Sequence, residues 1–161
     1  MVKFIFKIAH TLRKKYWKTF KVKTRGVRVI LIKDKKVLLV QHRYNNLWVF
    51  PGGGIEGNED FYSAGEREVL EETGYKIKDF ELILGSYSNK KEGKNDTVTV
   101  LVSRDFILKD KVSLFSKLLR LVEIKQMEWF DIGYLPKGIS GPTEERLWEY
   151  FSGKSNIEGV W

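Results

Sequence analysis

The feature that most constrains this chain is a glycine-rich stretch followed directly by an acidic segment, GGGIEGNEDFYSAGEREVLEETGY, which begins at residue 52. Its glutamates at 66, 68, 71 and 72 fall within seven residues. On a helix of 3.6 residues per turn, Glu68, Glu71 and Glu72 lie in one narrow sector, where like charges repel one another. This clustering indicates a bound divalent cation, because Mg²⁺ and Mn²⁺ prefer hard carboxylate ligands.

The acidic segment is predicted to form a helix over residues 60–73. Gly74 ends it, because glycine adopts the left-handed conformation at a helix end without steric penalty. Arg67 is spaced from Glu59 so that a loop carboxylate can pair with the helix and fix the loop against it. Three residues before the helix lack side chains, so their backbone can approach an ion or a phosphate closely. They are Gly52, Gly53 and Gly54.

Each of these features alone is also common on ordinary solvated helices, where for example Arg67 and Glu71 would pair at i,i+4. Their ordered combination resembles the signature of the Nudix hydrolase family: Gly, five residues, Glu, seven residues, then Arg-Glu-apolar-any-Glu-Glu-any-Gly-apolar. The nine specified positions are matched by Gly53, Glu59, Arg67, Glu68, Val69, Glu71, Glu72, Gly74 and Tyr75. The chain departs at Asn58, where many members have glycine, but asparagine tolerates positive φ and should preserve the turn.

The resemblance implies an α/β (α+β) fold, an α/β/α sandwich with a mixed β-sheet. It also implies an enzyme that hydrolyses a nucleoside diphosphate linked to another group. It also implies Mg²⁺ or Mn²⁺ as cofactor. The implied metal ligands are the Gly52 carbonyl and the side chains of Glu68, Glu71 and Glu72. The implied catalytic residues are the three glutamate ligands together with the pair that orients them. They are Glu59, Arg67, Glu68, Glu71 and Glu72. A later acidic residue is often the general base, and Glu123 and Glu128 are the candidates here.

Substrate contacts are expected beside the glycine loop. The candidate substrate-binding residues are Arg43, Tyr44, Trp48, Gly53 and Gly54. An aromatic side chain could stack on a base, and Arg43 could hold a phosphate through paired hydrogen bonds. The alternatives are that Arg43 is a surface residue and that the aromatic residues fill the core, which we expect for Phe50. His10 and His42 show no ligand spacing and are assigned no catalytic role.

The expected substrate is a (deoxy)nucleoside triphosphate or a related nucleotide. The chain lacks the proline about fifteen residues past the motif that is typical of ADP-ribose-directed relatives, and it lacks the Ser-Gln-Pro motif of NADH-directed relatives. The alternative is a module of the same fold that binds nucleotide or RNA, or regulates, without catalysis. The intact glutamates disfavour that alternative, because clustered charges repel one another when no ion is bound.

The remaining pattern predicts strands and a second helix. Strands are predicted at 27–32, 37–43, a short segment ending at Pro51, 80–88, 97–106 and 124–130. The first two should form a hairpin, and 80–88 and 97–106 should be joined by a polar tip. A helix is predicted over 142–151, with Pro142 in its first turn. Residues 107–122 are assigned to loop or short helix, and the tail 152–161 is expected to fray.

The charge distribution predicts two parts. Residues 1–25 carry nine of the 29 Lys and Arg and no acidic residue, whereas the rest of the chain has 20 basic and 21 acidic side chains. We therefore expect a basic, helical N-terminal segment at 1–25 and a Nudix hydrolase domain at 26–161. The chain has no cysteine, which excludes disulfides and thiolate metal sites and is typical of a cytoplasmic protein.

The N-terminal segment is not predicted to be a signal peptide, because lysines at 3 and 7 interrupt its apolar run. On a helix its apolar residues share one face. They are Ile5, Ile8, Leu12, Tyr16 and Phe20. We expect this face to pack on its own domain or on a second subunit in a homodimer. The alternative is weak contact with a polyanion such as RNA, or with an anionic membrane surface.

Overall fold

A computed structural model provides the structure, which describes residues 25–89, 96–109, 120–121 and 123–161. The predicted N-terminal helix, the polar tip between the predicted strands and most of 107–122 lie outside these residues. None of the described helices is both long and apolar enough to cross a membrane.

The predicted fold class is confirmed. The elements are β1 (Arg25–Lys33), β2 (Lys36–His42), β3 (Trp48–Val49), α1 (Phe61–Thr73), β4 (Tyr75–Asp79), β5 (Leu82–Asn89), β6 (Asp96–Ser103), β7 (Asp105–Leu108), β8 (Ile124–Asp131), α2 (Gly141–Phe151) and β9 (Ile157–Val160). Seven strands form one sheet in the order β3-β2-β1-β6-β5-β9, and β8 pairs with β2. Because β1 is parallel to β6 and β9 to β5, while the other pairs are antiparallel, this sheet is mixed.

Alternation along β1 creates the layers. Val29 belongs to a buried cluster with Ala64 and Val69 of α1, whereas its neighbour Ile30 belongs to a second cluster with Leu147 of α2. Successive strand residues face opposite sides of a sheet, so one helix covers each face. The result is the predicted helix–sheet–helix sandwich.

Local chemistry explains the predicted hairpin and helix. The turn between β1 and β2 consists of Asp34 and Lys35, both at positive φ as two-residue hairpins prefer. Helix α1 is capped at both ends. The side chain of Asp60, just before the helix, accepts a hydrogen bond from the Ser63 N–H. Gly74, just after it, has φ 81° and donates its N–H to a carbonyl of the last turn.

Two predictions of secondary structure were wrong. The single strand predicted at 97–106 is divided at Arg104, so that β6 stays in the large sheet while β7 pairs with the unpredicted β4. The tail does not fray, because β9 pairs in parallel with β5. Gly85 permits this close pairing, since a Cβ at Gly85 would lie 2.5 Å from the Ile157 carbonyl oxygen.

Candidate active site

The glycine loop lies along β1 as if it were a further strand. The Val29 N–H donates to the Pro51 carbonyl, and the Val27 N–H donates to the Gly53 carbonyl, both at 2.9 Å. Gly54 forms an isolated antiparallel bridge on the same side of β1. The main chain of a buried strand therefore fixes the position of this loop.

Glycine is required at position 52, and position 53 adjoins the end of a side chain. Gly52 has φ 139°, and a Cβ there would overlap the Val27 carbonyl oxygen. A Cβ at Gly53 would lie 2.6 Å from Glu68 Oε1, so the loop backbone directly adjoins a carboxylate of α1. A Cβ at Gly54 would meet none of the described atoms within 4 Å, so its space is open.

Glu72 is the most buried of the clustered glutamates, with 4% of its surface exposed. Its Oε2 accepts a hydrogen bond from the Gly52 N–H at 2.9 Å, and its Oε1 lies 3.6 Å from His42 Nε2. Burial raises the pKa of Glu72 to about 8, with the charges of Glu68 and Glu123 adding to the effect and Arg28 opposing it. The fold therefore holds this carboxyl in a place that disfavours its negative charge.

The predicted orienting pair is present as a bidentate contact. Arg67 Nε lies 2.9 Å from Glu59 Oε1, and its Nη2 donates to Glu59 Oε2 at 3.0 Å. The same guanidinium donates to the Gly54 carbonyl and to Glu68 Oε1, both at 2.9 Å. The hydrogen bonds from Arg67 lower the pKa of Glu59. Arg67 thus joins the loop to α1, in the geometry to which arginine is suited.

Four carboxylates line one cavity. Its lining residues are Glu68, Glu71, Glu72, Arg120, Glu123 and Ile124. Burial raises the pKa of both Glu68 and Glu71, as it does for Glu72. Within the described ranges no three acidic or histidine groups already converge as a complete set of ligands. The donors are nonetheless all oxygen and share one cavity, and this donor set fits Mg²⁺ or Mn²⁺.

The structure separates the two candidate bases. Glu123 lines the cavity, and its charge acts on both Glu71 and Glu72. Glu128 is exposed and lies in register with Leu39, which belongs to the cluster beneath α2. Because residues in register point to the same face of a sheet, Glu128 lies on the face opposite α1.

The predicted substrate residues lie in different environments. Trp48 is buried in the core with its ring edge-on to Phe130 at 4.8 Å, so the prediction that it contacts substrate is corrected to a packing role. Phe50 is fully buried, as expected. Tyr44 is exposed and stacks on His42 at 4.9 Å. Arg43 donates through Nε to the Leu121 carbonyl at 2.9 Å.

Two residues near the cavity were not assigned to it from the sequence. Arg28 Nη1 donates to the carbonyl oxygens of Phe50 and Gly52. His42 is 5% exposed and adjoins Glu72, and burial, assisted by the charge of Arg28, lowers its pKa to about 4. The available signal was a polar residue within or directly after an apolar run, since Arg28 interrupts VRVILI and His42 follows VLLV with Gln41 between them.

Curated proteins similar to this chain include phosphohydrolases. Over 77 residues the chain is 35% identical to diphosphoinositol polyphosphate phosphohydrolase 3-beta of Bos taurus, covering 48% of this chain and 46% of that protein. Over 102 residues it is 32% identical to the 3-alpha enzyme of Mus musculus, covering 62% of this chain and 56% of that protein. The chain thus spans about half the length of the curated relatives it matches.

Solved structures show the same fold. A MutT NUDIX hydrolase from Burkholderia pseudomallei superposes with a TM-score of 0.67 at 20% identity, covering 80% of this chain and 98% of that chain. The NUDIX domain family model matches residues 22–147, which include the glycine loop, α1 and the cavity. The chain therefore belongs to the NUDIX domain family.

Proposed function

We propose that this chain is a divalent-metal-dependent hydrolase that cleaves a pyrophosphate bond in a nucleoside diphosphate-X compound. The observation that carries the proposal is the position of Glu72, held by the Gly52 N–H in a cavity lined by three further carboxylates. Uncompensated buried charge destabilises a fold, and strongly perturbed carboxyl groups in a cavity are typical of functional sites. A bound divalent ion would compensate that charge.

Each residue has a role that follows from its position. Glu68, Glu71 and Glu72 would hold the Mg²⁺ or Mn²⁺ ion, which when bound neutralises negative charge on the phosphate oxygens. Arg67, anchored by Glu59, holds the glycine loop in a fixed position against α1. The ligand role of the Gly52 carbonyl stays a prediction. This oxygen accepts a hydrogen bond from Arg28 and has a second lone pair, which leaves it able to bind an ion.

Glu123 is the proposed general base, because it shares the cavity with the three carboxylates of α1. It accepts a proton from the attacking water, whose oxygen forms a bond to phosphorus. The bond from phosphorus to the bridging oxygen breaks, and the leaving phosphate group takes that electron pair. Glu123→Gln should therefore lower kcat, while Glu128→Gln on the opposite face serves as the matched control and should not.

Nucleoside triphosphates and their deoxy forms are the first proposed substrates. The exposed Tyr44 supports them, because an aromatic ring near the cavity can stack on a base. A second substrate class, diphosphoinositol polyphosphates, is supported by the names of the curated relatives. Such a substrate has no base and carries more phosphate groups, so it would depend on cationic side chains such as Arg120 at the cavity.

A substrate panel tests both proposals. The purified chain is assayed with Mg²⁺ and with Mn²⁺ on nucleoside triphosphates, ADP-ribose, NADH and a diphosphoinositol polyphosphate, with released phosphate and pyrophosphate measured. We expect kcat/KM for the triphosphates to exceed that for ADP-ribose and NADH. A highest value on ADP-ribose or on the inositol compound would change the substrate class and leave the reaction standing. Nucleotide binding without hydrolysis of any compound would instead indicate the non-catalytic module.

We further propose a cytoplasmic location, which the lack of cysteine supports. The basic segment at 1–25 is proposed either to pack on its own domain or a second subunit, or to contact a polyanion or membrane surface. Its nine positive charges support the second alternative, and its apolar stripe supports the first.

A further inference from the structure

We infer that Arg28 is a positioning residue of this site, which holds the Gly52 carbonyl and thereby fixes the loop that meets Glu72. The inference rests on the proposed function, since it concerns how the metal-binding carboxylates are held. Arg28 lies outside the signature motif, 22 and 24 residues from the two carbonyls that it contacts. No motif position therefore assigns it this role.

Arg28 completes a pattern that the main chain of β1 begins. Backbone N–H groups of β1 hold the carbonyls of Pro51 and Gly53. Nη1 of Arg28 holds the two alternate carbonyls, donating to Phe50 at 3.1 Å and to Gly52 at 2.6 Å. Four successive carbonyls of the loop are thus bound to β1, two by its backbone and two by one half-buried side chain.

Gly52 is the point at which this arrangement reaches the glutamates. Its N–H donates to Glu72 Oε2 at 2.9 Å, while its carbonyl accepts from Arg28. These two groups belong to different peptide units, and glycine allows rotation between them more freely than any other residue. A hydrogen bond at each end is therefore needed to fix both units. Removal of Arg28 would release the carbonyl that the family resemblance implies as a ligand.

The chemistry of the guanidinium suits it to this role. One nitrogen, Nη1, makes both contacts to the loop carbonyls. Arginine remains charged at all relevant pH values and has several donors in a fixed plane. Lysine would retain the charge on a shorter side chain with a single nitrogen. Arg28→Lys should therefore retain part of the function, and Arg28→Met should retain least.

The test measures metal binding without substrate. Mn²⁺ binding to the full chain is followed by electron paramagnetic resonance for wild type, Arg28→Met, Arg28→Lys and Arg104→Met. Arg104 is the matched control, because it contacts Glu81 and Tyr150 and does not line the cavity. We expect Arg28→Met to weaken Mn²⁺ binding roughly 10–100-fold, as loss of groups that orient metal ligands does. Arg28→Lys should be intermediate, and Arg104→Met should equal wild type.

Kinetics on the best panel substrate separate the alternatives. We expect kcat to fall in Arg28→Met while KM changes little. Unchanged or tighter Mn²⁺ binding in Arg28→Met would overturn the inference, as would a raised KM with unchanged Mn²⁺ binding, which indicates substrate contact. If Arg28→Met does not fold, Arg28→Lys decides by the same criteria. A wild-type chain that does not bind Mn²⁺ would contradict the proposed function itself.

Discussion

Two buried charged side chains, Glu72 and Arg146, are treated in opposite ways by the fold. Arg146 is 5% exposed and is matched on several sides. Its Nε lies 2.7 Å from Glu149 Oε2, as an ion pair that is not aligned as a hydrogen bond, and its Nη1 donates to the Val160 carbonyl at 3.1 Å. Its guanidinium also lies 4.2 Å from the centre of the Tyr87 ring.

Glu72 is equally buried, yet its favourable contacts do not offset the cost of that burial. Burial raises its pKa, Arg28 and the Gly52 N–H oppose this only in part, and Glu68 and Glu123 add to the rise. Arg146 and its contacts Glu149, Tyr87 and Val160 form the Arg146 cluster. This cluster joins α2 to the strands β5 and β9, which is a structural role. A buried charge that is matched serves the fold, whereas one that remains uncompensated indicates a place for a ligand.

The largest predicted effect follows from substituting Glu72, the uncompensated residue of the two. Glu72→Gln should lower hydrolysis by several orders of magnitude, because the bound metal supplies much of the charge stabilisation. The metal-free protein should remain folded and be at least as stable as wild type, because glutamine removes the cost of burying a carboxyl group that ionises in the unfolded chain. Activity assays and thermal unfolding in a chelator measure both. Glu66→Gln, on the exposed side of α1, is the control. Near-wild-type turnover of Glu72→Gln would show that the site is wrongly assigned.

The next largest effect follows from substituting Arg146, the residue whose charge is matched. Arg146→Met should lower the free energy of unfolding by about 3 kcal/mol, because removing one member of a buried pair leaves the other uncompensated. Chemical denaturation measures the change, and kcat per folded molecule should stay at the wild-type value. Glu145→Gln is the control, because the Glu145 side chain is 67% exposed and such pairs contribute little. A stable Arg146→Met protein with reduced kcat would contradict the division of roles.

A smaller effect is expected in the pH dependence of stability. The pKa of Glu72 is about 8 in the folded chain and near 4.5 when unperturbed. The folded state then holds a proton that the unfolded state has released, so metal-free stability should fall as pH rises between these two values. Denaturation of wild type and Glu72→Gln across this range measures the slope that Glu72 contributes. Added Mg²⁺ should raise wild-type stability most at the alkaline end. Equal slopes for both proteins without metal would contradict the raised pKa.

The sequence could predict what depends on neighbouring residues. Asp60 and Gly74 bound α1 through bonds made within four residues, and Glu59 reaches Arg67 over eight. Contacts between residues far apart in the chain could not be predicted from the sequence. Arg28 meets its carbonyls 22 and 24 residues away, and β9 depends on β5, which is about 70 residues earlier.

Side-chain direction was the other limit. Trp48 and Tyr44 have similar positions in the sequence relative to the glycine loop, but one is buried on Phe130 and the other is exposed. Glu123 and Glu128 are both exposed but differ in location, because Glu123 lines the cavity whereas strand pairing turns Glu128 to the face of α2. Only the sheet register separates such pairs, and composition does not specify it.

The smallest expected effect concerns residues 1–20. The glycine loop, α1 and the Arg146 cluster are all formed by residues after Arg25, where β1 begins. If residues 1–20 are a separate segment, their deletion should change neither kcat on a small nucleotide nor the Arg146 cluster. If the segment binds polyanions, the full-length chain should be retained by RNA or anionic liposomes at low salt and the truncated chain should not. That retention should weaken steeply with salt, because phosphate contacts release counterions and surface charges are screened within about 8 Å at physiological ionic strength.

The packed-helix alternative gives the opposite result for stability. Burial of Ile5, Leu12 and Phe20 against the domain or a second subunit would contribute about 1.5–3 kcal/mol for each large side chain. Deletion would then expose the apolar face, and the truncated chain would aggregate or unfold at a clearly lower temperature. Thermal unfolding and size-exclusion chromatography of both chains, at equal protein concentration, distinguish the outcomes. An unchanged Tm supports a separate segment, and a large drop shows that the apolar face of residues 1–20 packs on the fold and stabilises it.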